Sequence, residues 1–145
     1  MPRFSAGVKT GAGSTTLPLI SLYAAAAVGG KIREVGAFNT TTTALDIKLT
    51  RLTTAGTQGT ALVEAEADPD GAAASCTAVS THSVAPTLGD DLGYRASLGA
   101  AIGSGIIWTF GESGLRIPVG TANGIGLIIE NGTGQVLQAY IVWDE

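Results

Sequence analysis

Hydrophobic and polar residues alternate along much of this chain with a period of two, the spacing of a strand that buries one face. Between Ala44 and Arg51, Leu45, Ile47 and Leu49 point one way, and Asp46, Lys48 and Thr50 the other. The same alternation runs through Leu92, Tyr94, Ala96 and Leu98, and through Ile106, Trp108 and Phe110. From Val136 to Trp143 both sets are largely apolar, which predicts a central strand covered on both sides or one that meets another subunit. Lys31–Phe38, Ala61–Ala65, Cys76–Val84, Leu115–Val119 and Gly124–Glu130 complete the set, with a weaker candidate at Leu17–Tyr23.

Turn chemistry separates these segments. Thr54–Gly59, Asp68–Gly71, Ala85–Gly89, Gly111–Gly114, Ala122–Gly124 and Asn131–Gly134 all hold Gly, Pro, Asn or Asp where the backbone needs a fixed or positive φ. Asn131-Gly132, between two apolar runs, is the strongest hairpin signal. Ala72–Ala74 has room for one helical turn, and no longer helix or internal repeat is evident. The pattern predicts an all-β chain: a single antiparallel β-sandwich, jelly-roll-like, over 17–145, preceded by an extended N-terminal arm over 1–16. The arm is rich in glycine and small polar residues and cannot bury enough to order itself, so it frays or orders on a neighbouring subunit. Phe4, flanked by Arg3 and Lys9, is its physical anchor.

Composition sharpens this picture. A chain of 145 residues supports one domain with a packed core. Its 21 glycines and charged fraction of 14% argue against an ordinary helical enzyme. The net charge of −4 is unevenly spread. Residues 1–51 carry Arg3, Lys9, Lys31, Arg33, Lys48 and Arg51 against Glu34 and Asp46, whereas acids dominate the remainder. Such asymmetry predicts that the basic region meets an acidic surface. An acidic pI of about 4.8, with no basic cluster interleaved with aromatics, argues against nucleic acid. Leu17–Val28 is interrupted by Pro18 and Ser21 and is too short to span a bilayer, so no membrane partner is expected.

Candidate chemistry is sparse. Cys76 is the single cysteine, so an internal disulfide and a cysteine-based metal site are excluded. His82 is the single histidine. Six strand residues hold it roughly 20 Å from Cys76, too far for direct activation. Asp68-Pro69-Asp70-Gly71 lacks the later ligands of a calcium loop, and Gly11-Ala12-Gly13 and Gly124-Ile125-Gly126 are incomplete as dinucleotide motifs. Trp108 and Trp143 read as core or subunit contacts. No catalytic group, cofactor, metal or small-molecule substrate is expected.

Several segments together carry a family likeness. They are Ile47–Arg51 running into Thr53–Thr60, Asp68-Pro69-Asp70 with its alanine run, Ala85-Pro86-Thr87, Trp108 before a glycine-rich loop, Gly120–Gly124, and Val142-Trp143-Asp144-Glu145. In these the chain resembles the capsid decoration, or cement, proteins of tailed bacteriophages. That resemblance implies a non-enzymatic virion subunit, commonly a homotrimer, seated on the outer capsid surface. Its partner would be the major capsid protein, and its task to stabilise the shell by bridging capsomers. Arg3, Phe4, Lys9, Tyr140 and Trp143 are the candidate capsid or subunit contacts. The alternative is a receptor- or glycan-binding module of a tail or head fibre, which would expose aromatics at its loop tips.

Overall fold

The computed structural model describes residues 1–132 and 134–145. It forms β1 (Arg3–Lys9), β2 (Ile20–Tyr23), β3 (Gly30–Asn39), β4 (Leu45–Leu52), β5 (Ala65–Glu66), β6 (Thr77–Ser80), β7 (Leu88–Leu98), β8 (Gly105–Thr109), β9 (Leu115–Ile117), β10 (Gly124–Asn131) and β11 (Leu137–Asp144), with no helix among the described residues. These strands make two antiparallel sheets packed as a β-sandwich. The six-stranded sheet runs β5-β1-β11-β3-β8, with β9 pairing the other end of β3, and the five-stranded sheet runs β6-β2-β10-β4-β7. Most connections cross from one sheet to the other, so sheet neighbours come from distant parts of the sequence.

Alternation explains which side chains fill the space between the sheets. Ile32, Val35, Leu137, Ile141 and Trp143 meet Ile20, Leu22, Ile47, Leu49, Ile125 and Leu127, and all are buried. Ala6, Ala37, Ala78 and Ala139 share this core, which keeps the two layers close. Between Tyr94 on β7 and Phe110 just past β8 the open side of the sandwich is closed edge to face, with centroids 4.8 Å apart.

The largest departure from expectation is at the N-terminus. Residues 3–9 do not run as an arm; they form β1, paired to β11 from Arg3↔Asp144 to Lys9↔Gln138 and to β5 at Phe4 and Ser5. Phe4 supplies the reason. Its ring is 1% exposed and stacks on Trp143 at 5.7 Å, giving the segment the burial its small residues lack. Thr10 prolongs the attachment: its N–H donates to the Leu137 carbonyl (2.7 Å) and its hydroxyl accepts from Leu137 N–H (3.0 Å).

Other differences are smaller. The expected strand at 61–65 contracts to β5 plus an isolated bridge Ala61↔Val79, and the one at 76–84 contracts to β6. Residues 57–62 instead run edge-on beside β6 and its continuation, held by Ser80 N–H to Thr60 carbonyl and Leu62 N–H to Ala78 carbonyl, each 2.9 Å. Ala72–Ala74 form no helical turn. Thr133, part of the turn expected at 131–134, lies outside the described residues.

Candidate functional site: the outer face of the six-stranded sheet

The two outer faces of the sandwich differ. On the five-stranded sheet Tyr23, Leu52 and Val79 point outward, yet all are buried, packed with Ala55 and Leu88, and the Tyr23 hydroxyl donates to the Thr54 carbonyl. Beside them Lys48, Asp91, Arg95 and Glu130 neutralise one another in a network of ion pairs. The outer face of the six-stranded sheet has no such cover from the described residues.

Register places a band of large side chains across that bare face. Tyr140 on β11 stands between Gly7 of β1 and Gly36 of β3, and Gly36 is followed by Ile107 of β8. The Tyr140 ring lies flat over Gly36, where a Cβ would meet Cε1 at 2.1 Å, so glycine is what lets the aromatic lie down. Phe38 covers Gly105 in the same way, with a Cβ there 2.2 Å from Phe38 Cδ1. Val142 and Ile107, the latter 51% exposed, complete the band. The Tyr140 hydroxyl donates to Glu34 Oε1, and burial together with this bond pushes its pKa up to about 12. Tyr140 therefore remains a neutral hydrogen-bonding group.

One end of the face is basic. Arg3, Asp144, Lys31 and Arg116 lie side by side in one cross-strand row. Asp144 accepts Arg3 Nε (2.7 Å) and Nη2 (3.2 Å), and the Arg3 bond holds its carboxyl below the usual range against a burial penalty. A bulge between Val142 and Trp143 leaves Arg33 unpaired in the ladder, and its guanidinium reaches the same carboxylate (Nε–Oδ2 3.3 Å). Four cations thus share one acid in this row and its bulge, and Lys31 stands directly opposite Arg116, a like-charge pairing that costs energy unless an anion approaches.

The five residues that the sequence singles out divide accordingly. Tyr140 is on the bare face. Arg3 is half exposed in the basic row, and Lys9 is exposed at the far end of β1. Phe4 and Trp143 are fully buried against each other, so neither ring reaches a partner. Their inward placement follows from a strand phase that the N-terminal glycines obscure. Phe38, Ile107, Val142, Lys31 and Arg116 also belong to the face, and sequence reasoning missed them. A signal for them exists, because Glu34, Gly36 and Phe38 alternate with buried Val35 and Ala37.

The groups that carry most chemistry are engaged elsewhere. His82 is 2% exposed; its Nε2 sits 3.2 Å from the Tyr23 hydroxyl, which donates to the Thr54 carbonyl at 3.0 Å. Cys76 is buried, and burial with the nearby Glu145 carboxylate pushes its thiol up to about 12, so it stays protonated. Among the described residues no group of three His, Cys, Asp or Glu side chains is placed to hold a metal. Comparison with protein-family models, curated proteins and solved structures returned no match.

Proposed function

We propose that this chain is a structural protein of a virus particle, a decoration or cement subunit carried as a homotrimer on the outside of a tailed-phage head. The observation that carries the reading is the contrast between the two outer faces, one with its apolar cluster of Tyr23, Leu52 and Val79 buried against the chain's own Ala55 and Leu88, and one bare, apolar in the middle and basic at one end. A face of this kind suits a flat, acidic protein surface: Tyr140, Phe38 and Ile107 exclude water at the centre, while Lys31 and Arg33 steer the approach. The strand orders β1-β11-β3-β8 and β2-β10-β4-β7 add support, because they suit a jelly roll, which we propose as the form of this sandwich and which is common among viral capsid domains. Because residues 3–9 are built into the sheet, the bridging contact is assigned to this face rather than to a free arm.

The mechanism is mechanical. Each subunit contributes contacts that exist only on the assembled shell, so binding shifts the shell equilibrium toward the intact state by mass action. Mixed with expanded capsids, the native chain co-sediments and raises their melting temperature. Tyr140→Asp combined with Ile107→Asp lowers occupancy by about tenfold or more while the variant keeps its fold. Undiminished occupancy of that variant would sink the reading. A receptor- or glycan-binding module is the second reading, favoured by Tyr94, which is 36% exposed at the open edge beside Trp108 and Phe110. Glycan binding that disappears in Tyr94→Ala, without capsid binding, would select it.

A further inference from the structure

The two edges of the six-stranded sheet carry opposite and unneutralised charge. At the β5 edge, Glu66, Asp68 and Asp70 are all exposed within five residues, and none forms an ion pair among the described residues. At the β9 edge, Arg116 is exposed and Arg51 reaches it from the other sheet, its Nη1 donating to the Arg116 carbonyl at 2.8 Å. Neither guanidinium meets a carboxylate among the described residues, whereas Arg3, Arg33, Lys48 and Arg95 all do. Arg51, Arg116, Thr53, Pro118 and Asn123 line one open cleft of about 410 Å³. Each edge also bears an uncovered valine: Val63, 85% exposed, precedes the acids, and Val119, 52% exposed, follows Arg116.

Sheet order fixes the relation between these patches. β5 and β9 lie at opposite ends of β5-β1-β11-β3-β9, four strand spacings or about 19 Å apart, so one chain cannot bring its own patches together. We infer that copies of this chain join edge to edge, the acidic 66–70 segment of one seating in the Arg51–Arg116 cleft of the next. The occupant is a second copy because the same surface supplies both halves of the match: three acids and a valine on one edge, two arginines and a valine on the other. Such a contact is heterologous, and it closes into a ring when the rotation per subunit allows. It takes Arg116 from the basic end of the outer face of the six-stranded sheet and leaves the apolar band of Tyr140, Phe38, Val142 and Ile107 free. The inference assigns the contacts of the homotrimer in the proposed function, and it rests on that self-association and not on the shell.

The test therefore uses the purified chain without capsids, so its failure leaves the capsid-binding experiment standing. By analytical ultracentrifugation the native chain sediments above 14.5 kDa at low salt and moves toward that monomer mass as ionic strength rises. Arg51→Glu with Arg116→Glu gives monomer, as does Glu66→Lys with Asp68→Lys and Asp70→Lys. A chain bearing all five reversals associates again, because both edges have exchanged sign. Arg116→Glu alone, at an exposed side chain, weakens association without touching the core and covers the case in which the multiple variants unfold. A native chain that is monomeric at every concentration, an oligomer indifferent to Arg116→Glu, or a five-fold variant that stays folded and monomeric overturns the inference.

Discussion

His82 shows how much one buried side chain commits this fold to a pH range. Its ring is buried between Tyr23 and the Ala55 backbone; Tyr23 Oη contacts Nε2, and Nδ1 makes no well-formed hydrogen bond among the described residues. Burial lowers its pKa from 6.5, and the Ala55 backbone opposes this only in part. The neutral ring is therefore the folded form. The unfolded chain binds the extra proton first, so this contribution is complete above 6.5 and is lost as pH falls from there through the lower folded value. Thermal melts of the native chain should drop between about pH 7 and pH 5, and His82→Gln, which keeps a donor for Tyr23, should flatten that step. An unchanged step in His82→Gln would assign the pH dependence to other groups. The carboxylates of Asp144 and Glu145, held below the usual range by Arg3 and by the Trp143 indole and the Ser75 and Cys76 amides respectively, act in a more acid window.

At the scale of the element, the strands with a clear two-residue period are legible in the sequence alone. β4 and β10 fall within a residue or two of their expected bounds, because one face of each is apolar and the other, Leu52 and Ile128 apart, is polar or glycine. β11 is legible as a central strand, and it lies between β1 and β3. β1 is not legible. Its period rests on Phe4, Ala6 and Val8, of which one is large, and the partner that buries Phe4 lies near the other end of the chain. The candidate face is hidden for a related reason, since Tyr140, Phe38 and Ile107 become neighbours only through a register that local pattern does not encode. Phe4→Ala tests how far β1 is part of the core. Loss of a fully buried ring costs about 3–5 kcal/mol, read as a lowered denaturant midpoint, whereas a dispensable arm would leave the midpoint in place.

The whole molecule is built almost entirely from non-local pairings. β1 pairs with β11, β3 with β11 and β8, and β4 with β7 and β10. Loop closure must precede each reward, so folding should be slow for this size, with a relaxation in the range of about milliseconds to seconds. Stopped-flow fluorescence, dominated by Trp143 and Trp108, is the measurement, and a microsecond phase carrying the full amplitude would contradict it. The position of β11 carries a further consequence for how cells make the protein. A ribosome delivers this sheet with its middle missing: β5-β1 and β3-β8 exist as separate halves until residues 137–144 emerge to join them. Throughout translation Phe4 has no indole to stack on and Asp144 is not there to receive Arg3. Nascent chains therefore keep the six-stranded sheet open until β11 has emerged, and a stop codon anywhere in β11 yields a chain whose six-stranded sheet never closes.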